Sequence, residues 1–243
     1  MSNLAVLPST MGEVINFPTK TPSKKKPPNN AKKGGYQTVY PLKKKSEIVA
    51  VAKWLHENAD PKYLLAFTMG INLGLRANEL LELKTQDVFW PDGSIRKIDD
   101  KQDVTDGCAI FQSKQKKNRK VFLNDACVNA LSACFPVGKK ETYDQGWLFP
   151  SRKGNGPLGV GALRHVLKEA CDACGIKQNI GSHTLRKTFG YWHYVENMDI
   201  VILQRLFGHS SPSVTLRYIG ITDEDDKKAY NSVSIDVFGS LDD

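Results

Sequence analysis

The sequence lacks any apolar run long enough to cross a membrane, and its first residues contain no hydrophobic core of a secretory signal. These two absences argue against membrane-embedded and secreted classes and predict a protein that works in the cytoplasm. The five cysteines are an odd number without a framework spacing, which predicts reduced thiols rather than disulfides. The sequence shows no glycine-rich phosphate loop and no acidic metal triad, so we predict no nucleotide, metal or other cofactor.

One cysteine pair, Cys171 and Cys174, has a spacing typical of zinc ligands. The pair lies inside an amphipathic segment, and no second cysteine pair is near it in the sequence. We therefore interpret the two thiols as core residues and predict no metal site.

Positive charge is concentrated at one end of the chain. The net charge is +8, and residues 1–45 hold nine lysines against a single acid, Glu13. The last 21 residues are acidic, with seven Asp or Glu against two lysines. A cationic arm beside a mildly basic body is typical of proteins that bind a polyanion; a solubilising linker is the alternative interpretation.

The pattern of helix and turn signals predicts three regions. Residues 1–45 combine prolines with lysines and asparagine or glycine pairs, which predicts a basic disordered arm. Residues 46–222 show helical periodicity interrupted by two β-like runs, at residues 108–112 and 119–123, around a basic turn. This predicts a mainly helical α+β domain with a small antiparallel hairpin. Residues 223–243 form an acidic C-terminal tail.

Several helix starts are marked by side chains that can accept a hydrogen bond from a free backbone N–H group. Two of these residues precede a proline, which favours the first position of a helix. The predicted caps are Asp60, Asn124, Asp199 and Ser211.

A cluster of cationic and imidazole side chains accompanied by tyrosine lies in the last third of the domain. Its segments are Ser182-His183-Thr184-Leu185-Arg186, Gly208-His209-Ser210 and Arg217-Tyr218, and an earlier arginine lies in Gly74-Leu75-Arg76. A phenol that attacks a phosphodiester needs guanidinium donors for the non-bridging oxygens and imidazoles for the proton. The pattern therefore predicts transesterification of DNA. His183 suits removal of the tyrosine proton, and His209 suits a hydrogen bond to a phosphate oxygen.

The chain resembles the tyrosine recombinase (phage integrase) family in five features that occur in the same order. They are Gly-Leu-Arg-x-x-Glu-Leu, a lysine in a β-hairpin, His-x-x-Arg, Leu-x-Gly-His and a tyrosine nine residues after that histidine. The resemblance covers roughly residues 46–222. It implies the catalytic-domain fold of that family and a site-specific recombinase that cuts and rejoins DNA through a 3′-phosphotyrosyl intermediate. In the family the last helix holds the nucleophile, which selects Tyr218 over its competitors Tyr191, Tyr194 and Tyr230.

The general acid for the leaving 5′-oxygen is expected to be a lysine on the mobile hairpin. Four lysines lie there: Lys114, Lys116, Lys117 and Lys120. Lys114 comes two residues after the end of the first strand, where the family places its lysine. The predicted catalytic residues are thus Arg76, Lys114, His183, Arg186, His209 and Tyr218. The residues predicted to bind DNA through its phosphates are Lys24, Lys25, Lys26, Lys32, Lys33, Lys43, Lys44, Lys45, Lys116 and Lys117.

Three further polar residues are assigned no chemistry. Glu79 lies three residues after Arg76 on one helical face and is expected to orient or pack. His56 and His193 lie in no motif and are expected to be hydrogen-bonded or exposed.

The resemblance also implies partners. Four protomers would hold two double-stranded DNA sites. The protein would be cytoplasmic and associated with the nucleoid. Its origin would be a bacterium, a phage or a mobile element. The region before residue 46 is shorter than the DNA-clamping domain usual in the family, so the chain resembles small recombinases built from the catalytic domain alone, and a helper DNA-bending protein is expected. The acidic tail is expected to dock on a neighbouring protomer or on its own domain. The alternative functions are a type IB topoisomerase-like relaxing enzyme and a non-cutting DNA-binding protein with the same fold.

Overall fold

The computed structural model describes residues 38–96, 108–112, 117–135 and 146–222, together with Asp225, Lys227 and Asn231. Residues 108–112 and 117–120 are described by their backbone alone. The predicted arm up to residue 37 and most of the acidic tail lie outside the described residues. The same holds for seven lysines with predicted roles: Lys24, Lys25, Lys26, Lys32, Lys33, Lys114 and Lys116.

The described chain is mainly helical, as the sequence predicts. No helix in these ranges is both long and apolar enough to cross a membrane. The helices, numbered along the chain, are α1 (Lys45–Asn58), α2 (Pro61–Leu73), α3 (Ala77–Leu81), α4 (Thr85–Val88), α5 (Asp125–Cys134), α6 (Val160–Ala173), α7 (Thr184–Asn197), α8 (Ile200–Phe207) and α9 (Pro212–Ile219).

The predicted antiparallel hairpin is present between α4 and α5. Strand β1 (Cys108–Gln112) pairs with β2 (Lys117–Val121), with Gln112 opposite Lys117. The second strand begins two residues before the predicted start at residue 119. The ladder is formed by backbone hydrogen bonds, which do not depend on side-chain polarity. The polar residues 117 and 118 can therefore belong to the strand, and the connection between the strands consists of residues 113–116 only.

All four predicted N-caps are present. Each side chain accepts from a backbone N–H two or three residues further on, a donor that has no partner within its own helix. The pairs are Asp60 with Lys62, Asn124 with Cys127, Asp199 with Ile202, and Ser211 with Val214.

The core consists of two groups of buried apolar side chains. The larger group includes α2, where Leu65 and Phe67 are almost completely buried. The smaller group joins α8 to α9 through Leu203, Phe207 and Ile219. Because α8 and α9 share this contact and both pack on α7, the loop between them is held beside α7.

A glycine sets the distance between α2 and α7. A Cβ atom built on Gly70 would lie 2.5 Å from Leu185 Cδ1, so glycine permits this close approach of the two helices. Leu185 directly precedes Arg186, and α2 is followed by Gly74, which has a left-handed backbone (φ 60°). The contact therefore places Arg186 beside the C-terminal end of α2.

Residues 38–44 form an ordered segment before α1, which we call the strap. The Tyr40 N–H donates to the Asn179 carbonyl (3.0 Å), and the Leu42 N–H donates to Thr188 Oγ1 (2.9 Å). The Trp192 indole N–H in turn donates to the Leu42 carbonyl (3.0 Å). The described structure thus begins before the predicted boundary at residue 46, because the strap is ordered by partners far away in the sequence.

Candidate active site

Five of the six predicted catalytic residues lie in the described chain, and the fold brings them together. Arg76 precedes α3, His183 precedes α7, and Arg186 lies in its first turn. His209 lies in the loop between α8 and α9, and Tyr218 lies near the end of α9. The sixth, Lys114, is outside the described residues.

The Tyr218 hydroxyl lies 3.1 Å from His183 Nδ1, within hydrogen-bond distance. Burial raises the pKa of the phenol, while the charges of Arg186 and Arg76 and a hydrogen bond from Arg186 act in the opposite direction. The phenol is therefore protonated at neutral pH and has an imidazole positioned to take its proton. This is the contact predicted for His183.

Arg186 is buried, with only 2% of its surface exposed. Its two terminal nitrogens donate to the carbonyls of Gly74 (2.7 Å) and Phe207 (3.0 Å), and its guanidinium lies 4.2 Å from the centre of the Phe207 ring. Arg186 therefore joins the ends of α2 and α8. The guanidinium has five N–H donors, so these two bonds still leave donors for other acceptors.

Arg76 is held by the acid that follows it. Glu79 is buried, and its carboxylate accepts from Arg76 Nη1 (2.7 Å) and from the Arg76 backbone N–H (2.9 Å). This fits the orienting role expected for Glu79. Arg76 and His183 both line a cavity of about 130 Å³, together with Asn78 and Ser182.

His209 packs against two aromatic rings that also contact each other. Its ring centre is 5.4 Å from that of Phe207 and 5.0 Å from that of Tyr218, and both contacts are edge-to-face. Its Nδ1 atom lies 3.1 Å from Thr215 Oγ1. Burial, followed by the charges of Arg186 and Arg76, lowers the pKa of His209. The imidazole is therefore neutral at neutral pH in the free protein.

Two residues of the site carry no sequence prediction. Thr215 is completely buried behind His209, and Lys187 is 8% exposed with its ammonium 5.0 Å from the centre of the Tyr218 ring. Burial lowers the pKa of Lys187. Both residues lie within three positions of a predicted catalytic residue, on α9 and α7, but only the packing of these helices shows which side chains they face.

Three of the predicted DNA-binding lysines are ion-paired in the structure. Lys43 lies 3.1 Å from Asp225 and over the Tyr191 ring, and Lys45 lies 3.2 Å from Glu196. Lys44 contacts Glu47 at 3.6 Å. The side chains of Lys44 and Lys45 remain largely exposed, so phosphate contacts by these two stay a prediction. Lys117 lies in β2 next to the turn, and its side chain is outside the description.

The competing tyrosines and histidines have other environments. Tyr191 is buried in α7, Tyr194 packs against the smaller core group, and Tyr230 is outside the described residues. His56 is exposed, as expected. His193 is half-buried, and its ring centre lies 5.9 Å from that of Phe189. Its buried Nδ1 has no hydrogen-bond partner among the described residues, so the expected hydrogen bond is not present at this atom.

The described ranges contain no group of three or more His, Cys, Asp or Glu side chains arranged as metal ligands. Burial raises the pKa of the Cys171 thiol to about 12, which keeps it protonated. Cys171 lies in the larger core group and Cys174 packs against it. Both thiols therefore pack as core residues.

Residues 32–225 match the phage integrase family, and the chain belongs to that family. The probable integrase/recombinase YoeC of Bacillus subtilis (strain 168) is 34% identical over 203 residues, which are 84% of this chain and 98% of YoeC. The tyrosine recombinase XerC of Caldanaerobacter subterraneus is 29% identical over 167 residues, which are 68% of this chain and 42% of XerC. The chain thus spans nearly all of YoeC but less than half of XerC.

Solved structures share the fold. The crystal structure of XerA recombinase has a TM-score of 0.60 at 20% identity and matches 84% of this chain and 66% of XerA. The XerH recombinase in a post-cleavage complex has a TM-score of 0.57 at 19% identity and matches 81% of this chain and 53% of XerH. The predicted family and fold class are confirmed. The family relationship also identifies the protein as a site-specific tyrosine recombinase, in preference to a relaxing enzyme or a non-cutting DNA-binding protein.

Proposed function

We propose that the Tyr218 hydroxyl attacks the scissile phosphate of a DNA strand while His183 takes the phenolic proton. The observation that carries this proposal is the 3.1 Å separation between the hydroxyl and His183 Nδ1. Arg76, Arg186 and His209 converge on the same phenol and bind the non-bridging phosphate oxygens. Their donors stabilise the charge that grows on these oxygens in the transition state.

The bond changes balance without a cofactor. A bond forms between the Tyr218 oxygen and phosphorus, and the bond from phosphorus to the 5′-oxygen breaks, which leaves a 3′-phosphotyrosyl link. The 5′-oxygen leaves with a proton that we assign to Lys114. A 5′-hydroxyl of a partner strand then attacks the phosphotyrosyl link and releases Tyr218. One phosphodiester replaces another, so the exchange needs no external source of energy.

The substrate that fits this chemistry is double-stranded DNA. The XerH neighbour is described in complex with its difH substrate, and a lambda integrase neighbour as a dimer on a core site, which supports DNA as the partner. We propose that four protomers hold two sites, that a helper protein bends the DNA, and that the reaction takes place in the cytoplasm at the nucleoid.

The acidic tail is the proposed link between protomers. Residues 233–238 are apolar at alternate positions. Three large apolar side chains, Val195, Met198 and Val201, are exposed around the junction of α7 and α8. We assign this junction as the surface on which the tail of a neighbouring protomer docks, because it offers apolar area that its own described chain leaves uncovered.

A nicked suicide substrate tests the nucleophile. When cleavage occurs beside the nick, the short leaving fragment diffuses away and the covalent protein–DNA adduct accumulates. Tyr218→Phe removes only the attacking oxygen, so it should bind DNA within about threefold of wild type and give no adduct. Tyr194→Phe is the matched control on α7 and should give a normal adduct.

Mass spectrometry of the adduct should identify the peptide that contains Tyr218. Adduct formation by Tyr218→Phe would overturn the assignment and direct attention to Tyr230. Joining of strands from two separate DNA molecules by the wild-type protein distinguishes recombination from relaxation of a single molecule.

A further inference from the structure

The buried hydroxyl of Thr215 is the direct hydrogen-bond partner of His209. Thr215 is 0% exposed, and its Oγ1 lies 3.1 Å from His209 Nδ1. The backbone of His209 is anchored as well, because Gln204 Nε2 donates to its carbonyl (3.1 Å). With the rings of Phe207 and Tyr218 packed against it, the imidazole is held on several sides.

The hydrogen bonds of the hydroxyl determine which nitrogen of His209 carries the proton. Thr215 Oγ1 donates to the Ser211 carbonyl at 3.2 Å, one helical turn earlier. A hydroxyl has one proton and two lone pairs. Since its proton is directed to Ser211, it presents a lone pair to His209, and the imidazole must donate from Nδ1. The geometry therefore selects the Nδ1–H form of neutral His209.

The other nitrogen, Nε2, is then unprotonated in the free protein. It has no hydrogen-bond partner among the described residues. The charged and titratable groups near the ring are Arg76 from the start of α3, Arg186 from α7 and Tyr218 from α9. Burial disfavours a second proton on the ring, and so do the charges of Arg186 and Arg76. A bare Nε2 cannot donate to a phosphate oxygen.

We propose that Thr215 is the positioning residue of His209: it holds the proton on Nδ1, so that docking of the scissile phosphate brings a second proton onto Nε2. The phosphate charge offsets the repulsion from Arg76 and Arg186, and the Nδ1–H bond to Thr215 is the same in the neutral and cationic rings. The imidazolium then donates a charge-assisted hydrogen bond to the phosphate. This inference rests on the proposed function of the site.

The form of the imidazole can be measured without DNA. Long-range proton–nitrogen NMR spectra of the full-length, ¹⁵N-labelled protein distinguish Nδ1–H from Nε2–H histidines, and a His209→Gln spectrum assigns the signal. Wild type and Thr215→Ser should show Nδ1–H at neutral pH, and Thr215→Val should shift towards Nε2–H. An Nε2–H signal for His209 in wild type would overturn the inference even if the protein recombines DNA.

The second measurement follows cleavage and proton uptake. In Thr215→Val, a neutral Nε2–H ring can donate to the phosphate without taking up a proton. Calorimetry in two buffers of different ionisation enthalpy should therefore show less proton uptake on DNA binding than in wild type. Single-turnover cleavage of the suicide substrate should fall about tenfold, because a neutral donor replaces a charged one. Thr215→Ser should stay within about threefold of wild type.

Thr188→Val is the matched control. Thr188 is also buried and bonds back to a carbonyl one turn earlier, that of Thr184 (2.8 Å), but its hydroxyl accepts from the Leu42 N–H (2.9 Å) instead of a histidine. Its cleavage rate per folded molecule and its proton uptake should equal those of wild type. Wild-type cleavage by Thr215→Val, or a slower rate with unchanged proton uptake, would overturn the proposal. If wild type itself forms no adduct, the proposed function fails, while the NMR result still stands.

Discussion

At the residue scale, the two arginines proposed to bind the scissile phosphate differ in how much of the fold depends on them. Arg186 is buried and bonds two backbone carbonyls from different helices, those of Gly74 and Phe207. Arg76 is partly exposed, and its side chain bonds to Glu79 in the same turn. Both side chains carry the positive charge that is proposed to bind phosphate, but replacement of the planar guanidinium should affect the stability of the fold differently at the two positions.

Lysine substitutions separate the proposed catalytic role of the two arginines from their structural role. Arg76→Lys can still pair with Glu79, so Tm should change little while single-turnover cleavage falls about 100-fold. Arg186→Lys cannot reach both carbonyls and loses its stacking on Phe207. It should lose about 1–3 kcal/mol of unfolding free energy, a Tm decrease of roughly 3–10 °C, in addition to a similar loss of cleavage.

Thermal unfolding and suicide-substrate cleavage of the two variants, measured side by side, check this difference. Near-normal cleavage by either variant would remove that arginine from the site. Equal Tm values for Arg186→Lys and wild type would mean that the bonds to Gly74 and Phe207 contribute little to stability.

The identity of the chemical groups could be predicted from the sequence, but their supporting contacts could not. Five of the predicted catalytic residues lie in short motifs whose residue types indicate the chemistry: Arg76, His183, Arg186, His209 and Tyr218. Their partners depend on packing between helices. Thr215, for example, lies three residues before Tyr218, but the sequence does not show that α9 places it against the imidazole of His209.

At the scale of helices, the approach of α2 to α7 controls where Arg186 lies. A Cβ atom on Gly70 would come within 2.5 Å of Leu185 Cδ1 and 3.0 Å of Leu185 Cβ. Gly70→Ala should therefore destabilise the fold by about 1–3 kcal/mol through overpacking, and should slow cleavage because Arg186 shifts with α7. Urea unfolding and single-turnover cleavage measure the two effects.

Gly161→Ala in α6 is the matched control. A Cβ atom there meets nothing within 4 Å, so alanine should stabilise the protein by about 0.5–1 kcal/mol and leave cleavage unchanged. If both glycine variants gain stability, the close approach of α2 and α7 is not needed for the fold.

Local signals explain why most of the helices, but not the strap, could be predicted. A cap such as Asp60 or Ser211 and the proline after it act within one turn, so the sequence alone shows them. The strap has no periodic pattern, and its two lysines, Lys43 and Lys44, suggest a solvated arm. Its order comes from Asn179, Thr188 and Trp192, residues more than 130 positions away.

At the scale of the whole molecule, the predicted cationic arm has two parts: residues 1–37, and residues 38–45, which include the strap. Residues 1–37 hold six of its nine lysines and lie before the described chain. The other three lysines follow Leu42, and Lys43 pairs with Asp225, which follows α9 in the sequence. This division gives the two parts different expected roles, in binding phosphate and in holding the domain together.

Two truncations test these roles. Deletion of residues 1–37 should leave Tm unchanged and weaken DNA binding, because each phosphate neutralised adds about −0.9 to the slope of log affinity against log salt. If half of its six lysines contact phosphate, the slope should fall in magnitude by roughly 3, with the same site preference, since phosphate contacts carry no sequence information. Deletion of residues 1–44 also removes the hydrogen bonds of Tyr40 and Leu42, so Tm should fall.

Salt titrations of DNA affinity and thermal unfolding of both truncations check the prediction, with cleavage of a prebound suicide substrate as the control for an intact site. An unchanged salt slope after deletion of residues 1–37 would mean that this part of the arm is only a linker. A lost site preference would mean that the arm reads bases. Equal Tm values for the two truncations would mean that the strap does not stabilise α7, although its backbone is hydrogen-bonded to that helix through Thr188 and Trp192.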